Sequence, residues 1–220
     1  MNADDVEFAF DSYSLLEEKL LNILKLIPLS SLNEGTWSPE LVGIFVETGN
    51  LVDSISRVLL GGSQNLDIKS YESDLFTPMD ILNSNIIVYK YPLRVIKPFN
   101  SYRRTGHGWW YVYNKLKHNL MNHYERANLI NVTKALGGLF LILSRYRSED
   151  FTKALIRREW SASNWVPEYV HSMRVTENLF WVDSELFGTC DAYQNIPDDL
   201  TQINPIFASP KFQRHIGRLN

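Results

Sequence analysis

The chain has 220 residues, of which 45% are apolar and 21% charged, and its formal net charge is −3. That apolar content is enough for a core and excludes the intrinsically disordered class, which has too little hydrophobic surface to offset chain entropy. The lone cysteine, Cys190, excludes an internal disulfide and a cysteine-rich zinc site, and the longest apolar run, 135–143, is far shorter than the roughly 20 residues that cross a bilayer.

The expectation is therefore a soluble, mainly α protein. It forms a single domain over 1–220, with a helical core over about 5–160 and an irregular C-terminal extension over about 161–220. The N-terminus carries Asp4, Asp5 and Glu7 where a secretory signal would be basic and then apolar, so the cytoplasm is the expected compartment.

Residues 5–27 read as a first helix. Leu16, Leu20, Ile23, Leu24 and Ile27 recur at three- and four-residue intervals, Glu17, Glu18 and Lys19 share another face, and Pro28 stops the helix. A second helix over 39–60 has a full start signal: Ser38 as cap, Pro39 in the first turn, Glu40 at the positive end and Trp37 as a staple onto Val42. It ends at Gly61-Gly62, and Gly49 in its middle marks a close helix crossing.

Residues 63–80 are polar and turn-rich and read as a surface connection. Two β-prone runs, Ile86 to Tyr91 and Leu93 to Ile96, predict a small β insertion at about 84–98. Past Gly106 and Gly108 a further helix begins at Trp109, with Trp109, Val112, Leu116 and Leu120 on one stripe and Asn114, His118 and Asn122 on another. Residues 127–146 are apolar nearly all round and read as the buried centre of a bundle, with Gly137-Gly138 admitting a close neighbour. Ser148 caps a shorter helix through Arg158, after which Pro167, Pro197, Pro205 and Pro210 argue against long elements.

Function is sought where the charge is uneven. Between Ile81 and Tyr124 there is no aspartate or glutamate, yet the segment holds seven Lys/Arg residues, three of the five histidines and nine aromatic residues. Either this basic segment folds against residues 1–80, which carry 14 acidic and 4 basic side chains, or it faces an external anion such as a nucleic-acid backbone. Likewise the aromatic-rich 99–113 region is either core or a surface for a protein partner.

The candidate site is Asn114, Lys115, Lys117, His118 and Asn122, with Arg103, Arg104, His107 and Arg126 near it. Histidine suits acid or base work near neutral pH, and cations beside it stabilise the charge that develops when RNA is cleaved through its 2′-hydroxyl. No GxxxxGK[ST], GxGxxG or GxSxG motif occurs, and His118 and His123, five residues apart, fall on different helix faces and do not converge on a metal; no cofactor or metal is called for.

From Ile96-Lys97-Pro98-Phe99 through Trp109-Trp110-Tyr111-Val112-Tyr113-Asn114-Lys115-Leu116-Lys117-His118, and on through Ala127-Asn128-Leu129 and Ala135 to Phe140, the chain resembles uncharacterised bacterial helical proteins of the HEPN-like type. The resemblance covers about 96–146. It implies a helical bundle, a homodimer, RNA as ligand and, in members that cleave it, a metal-independent ribonuclease of a defence or toxin type. The signature is an arginine, four to six residues and a histidine, with a polar residue after the arginine. His118 matches the histidine and Asn114 the polar residue, so His118 would act as acid or base with Asn114 orienting it. Lys115, Lys117, Arg103, Arg104, Asn122 and Arg126 would hold phosphate. Tyr113 stands where the arginine belongs, which leaves cleavage, binding alone and a protein-interaction scaffold all open.

Overall fold

The computed structural model describes residues 3–62, 66–88, 90, 94–145, 184 and 186–189. These are mainly helical, as the periodicity requires. The expected helix from Ser148 and the chain beyond 189 lie outside the described residues.

Helix α1, Ala3–Leu24, buries Tyr13, Leu16, Leu20 and Leu24. Glu17 departs from the expectation of a polar outer face, being only 5% exposed. Helix α2, Pro39–Leu59, starts as read: the Ser38 side chain accepts the Leu41 amide at 3.1 Å. It ends in two left-handed glycines, Gly61 at φ +82° and Gly62 at φ +76°.

The connection after α2 is not the surface loop that its polarity suggested. Asp67 accepts the Lys69 and Ser70 amides and starts a short helix, α3 (Ile68–Tyr71), which runs into a wider turn over Glu72–Phe76. Tyr71 and Phe76 are fully buried, Tyr71 meeting Trp110 edge-on and Phe76 lying tilted against Phe99. A few aromatic side chains supply enough apolar area to hold a polar segment inward, and a tally of polarity does not register them.

Strands β1 (Ile86–Val88) and β2 (Arg94–Ile96) pair antiparallel, Ile86 facing Ile96. The expected insertion is thus a hairpin, but it gains a third strand, β3 (Phe187–Thr189), from the region read as irregular. The order is β2-β1-β3, with Val88 opposite Phe187. Three residues around a glycine carry no strand signal of their own; β1, buried at every position, supplies the ladder.

Helix α4, Trp109–His118, lies against α2 and α5. Asn119, at φ −153° and ψ 74°, ends it one turn earlier than the stripe predicted, so Leu120 and Asn122 fall in a 3-10 turn over Leu120–Asn122. Leu120 is 45% exposed rather than core. Asparagine competes for backbone hydrogen bonds and leaves helices readily, and here that outweighs the periodicity. A second 3-10 turn, Tyr124–Arg126, leads into α5, Leu129–Arg145. Helix α5 is buried almost all round and packs on α1, α2, α4 and β3. Gly137 admits Ile86, and a Cβ at Gly138 would lie 3.3 Å from the Trp109 ring.

Candidate anion-binding site

Helix α4 is anchored by its first turn. Gly108 is its N-cap, and a side chain there would sit 2.5 Å from the Ser101 carbonyl, so the backbones approach only because position 108 lacks one. The Trp110 amide donates to the Tyr102 carbonyl at 2.9 Å, and the Trp109 indole N–H donates to the Pro98 carbonyl at 2.9 Å. Phe99, Tyr102, Trp109, Trp110 and Tyr113 are each at most 5% exposed. Of the two expectations for 99–113, core and protein-binding surface, these rings answer as core.

The sequence-predicted site is not one cluster. Asn114 is half-buried, and its Nδ2 donates to the Trp110 carbonyl at 2.9 Å, so its amide is tied to its own helix. His118 is exposed in the last turn of α4 with Lys115 and Lys117, where cations complement the negative helix end without any ligand. The Lys115 ammonium stands 5.6 Å over the Tyr111 ring. Tyr113, at the signature position, is buried and donates its hydroxyl to Asn50 Oδ1 at 2.8 Å. Burial pushes that hydroxyl's pKa up, with Lys117 opposing.

Other cations of the basic segment turn back to the acidic N-terminal residues. Lys117 pairs with Asp53 at 3.6 Å, and the same carboxylate takes Arg57 at 3.3 Å and the Tyr71 hydroxyl at 2.7 Å. Burial first, and the Asp53 hydrogen bond second, hold the Tyr71 pKa well above the usual tyrosine value. Arg103 pairs with Glu72 at 2.8 Å, and Glu72 also accepts the Tyr102 hydroxyl at 2.8 Å. Tyr102 is raised in the same way, by burial and then by Glu72. Arg94 pairs with Glu34 at 2.6 Å. Lys117 and Arg103, both expected to hold phosphate, are thus held by carboxylates.

Arg104 differs from Arg103 beside it. With His107 and Lys134 it lines a half-enclosed recess of about 250 Å³, completed by Asn100, Ser101, Gly108, Trp109 and Asn131. Among the described residues, no carboxylate lines it. Its wall is shaped by the loop before α4: Ser101 has a left-handed backbone at φ +55°, Gly106 at φ +84°, and the His107 and Gly108 amides both donate to the Arg104 carbonyl. From α5 comes Asn131, whose Nδ2 donates to the Arg126 carbonyl at 3.0 Å. Arg126 and Asn122 are exposed in the two 3-10 turns.

Sequence reasoning named Arg104 and His107 but missed Asn100, Ser101, Asn131 and Lys134. One signal was available for Lys134, which is the only charged residue in the apolar run 127–144. Two or three cations around neutral donors in a concavity attract an anion, and the surrounding low-dielectric wall strengthens that attraction.

No known family model matches the chain, and no curated protein or solved structure matches it. Among the described residues, no helix is long and apolar enough to cross a membrane, and no three His, Cys, Asp or Glu side chains are grouped as metal ligands.

Proposed function

We propose that the protein is a cytoplasmic, HEPN-like RNA-binding helical bundle that holds RNA through its phosphate groups without cleaving the strand. The observation that carries this reading is the recess lined by Arg104, His107 and Lys134, with no carboxylate among the described residues that line it. Binding is favoured over cleavage because Tyr113 is a core residue and the Asn114 amide is bonded to the Trp110 carbonyl. His118 then lacks both the arginine and the orienting amide of the ribonuclease signature.

Fluorescence anisotropy with a labelled RNA tests this. Binding should weaken steeply with salt, and Arg104→Gln with Lys134→Gln should flatten the salt slope by roughly one for each phosphate no longer neutralised. Absence of salt-sensitive RNA binding would sink the reading. The homodimer that belongs to the HEPN-like reading is checked by sedimentation equilibrium.

A second reading, a protein-interaction module, is favoured by the exposed side chains of Leu120 and Met121, 45% and 78% accessible, in the connection after α4. A partner held there would bind independently of salt and of Arg104.

A further inference from the structure

The RNA reading leaves open which phosphate the recess holds. We infer that it takes a terminal phosphate monoester, the phosphorylated end of an RNA strand, rather than a phosphodiester within the strand. This inference rests on the RNA reading and adds to it the identity of the group bound.

Three observations support it. The first is charge: Arg104, His107 and Lys134 line one recess, with no carboxylate among the described residues that line it. A phosphodiester carries a single negative charge, whereas a monoester carries about −1.5 to −2 near neutral pH, with three free oxygens as acceptors. A converging arginine, lysine and imidazole match the second better than the first.

The second is size. At about 250 Å³ the recess is smaller than the roughly 300–1,000 Å³ of pockets that enclose a whole small ligand. It suits a phosphate and the nearest part of its sugar, with the remainder of the strand outside.

The third is shape. The recess is half-enclosed, and its lining includes Gly108 and Trp109, the latter only 1% exposed and fixed by its bond to the Pro98 carbonyl. An internal phosphodiester must send chain out in two directions, while a terminal phosphate enters such a recess from one. The donors are also of the right kind for a group with three oxygens. Asn100 and Ser101, whose side-chain amide oxygen and hydroxyl are 3.3 Å apart, come from the loop before α4 and Lys134 from α5, so the lining donors belong to two elements.

The test uses the full chain and four probes: one RNA sequence with hydroxyls at both ends, the same RNA with a 5′-phosphate, the same with a 3′-phosphate, and adenosine monophosphate. A phosphorylated end should bind about tenfold tighter than the unphosphorylated strand, the effect of one or two charge-assisted hydrogen bonds. Inorganic phosphate should compete that advantage away. Arg104→Gln and Lys134→Gln, separately, should abolish the difference between the strands, whereas Lys25→Gln, an exposed cation just past α1, should preserve it. Equal affinity for all three strands would overturn the terminal-phosphate inference while leaving RNA binding intact. Binding of the monophosphate with no binding of any RNA would support a monoester pocket and remove the RNA reading. No binding of any probe would overturn both.

Discussion

Gly49 of α2 lies directly against the ring of Tyr113 on α4, so that a Cβ at position 49 would come within 2.5 Å of Cε2 and 2.6 Å of Cγ. The two helices cross at this distance because one of them has no side chain there. Tyr113 is 1% exposed and tied to Asn50, so the ring has nowhere to go. Alanine at 49 gains about 1 kcal/mol in helix propensity, but with ring atoms this close it overpacks the crossing by about 2–3 kcal/mol, the upper part of the usual range. Gly49→Ala should therefore lower stability by about 1–2 kcal/mol in urea denaturation. An unchanged or raised midpoint would mean that the ring rotates away.

The same contact bears on catalysis. Tyr113→Arg restores the residue that the HEPN-like signature asks for, yet it places a guanidinium in a closed crossing beside an Asp53 already shared by Arg57, Lys117 and Tyr71. The expected result is a loss of about 3 kcal/mol or more from burying an ill-paired charge, with no gain of RNA cleavage. Cleavage by a folded Tyr113→Arg protein would show that position 113 can reach a site after all.

Adjacent arginines should separate stability from binding. Arg103 is ion-paired to Glu72, which also holds Tyr102, so Arg103→Gln should lower the melting temperature slightly, the pair being partly exposed and worth about 1 kcal/mol or less, and leave RNA affinity unchanged. Arg104→Gln should do the reverse. If both substitutions weaken RNA binding alike, the recess has no special role and the whole basic segment acts as a diffuse field.

Alkaline pH offers an independent check on the aromatic core. Tyr71, Tyr102 and Tyr113 all have pKa values raised by burial, and the first two also by a carboxylate that accepts their hydroxyl. The unfolded chain ionises these groups near 10 and the folded chain above it. Their contribution to stability is whole below about pH 10 and is lost as pH rises through the native values. Each tyrosine kept neutral subtracts up to about 1.4 kcal/mol per pH unit above about 10. Ultraviolet titration should show part of the 11 tyrosines ionising only in the unfolding transition. Smooth titration of all of them before unfolding would contradict the buried hydroxyls.

Those elements whose signals are local were readable from sequence. Ser38-Pro39-Glu40 set the start of α2, Gly61-Gly62 its end, Gly49 the crossing, and unbroken apolar character the central place of α5. What escaped depended on distant partners. Glu17 has the sequence pattern of an outer-face carboxylate, yet it is buried because Ser184 and Leu186 come to it. Strand β3 exists because β1 offers an edge. The site behaved likewise: the four-residue spacing of Asn114 and His118 was legible but says nothing of the Trp110 carbonyl that takes the amide. The recess joins a loop at 100–108 to Asn131 and Lys134, which no spacing rule connects.

The Glu17 arrangement gives the last expectation. Its Oε1 accepts the Tyr13 hydroxyl at 2.8 Å, the Ser184 hydroxyl, and the Leu186 amide at 3.2 Å, while Ser184 Oγ accepts the Phe187 amide at 2.7 Å. One buried carboxylate thus joins α1 to the residues that enter β3, across a sequence separation of 169. Glu17→Ala strands several buried donors together and should cost about 3–5 kcal/mol, whereas Glu17→Gln keeps an acceptor oxygen and should cost less. The loss should be local before it is global. Hydrogen exchange at the Leu186 and Phe187 amides should rise ahead of exchange in α5, because strand β3 has three residues and, among the described strands, pairs with β1 alone. Equal stability of Glu17→Ala and the native chain, or exchange that rises uniformly, would show that packing of Leu186 and Phe187 holds the strand without the carboxylate.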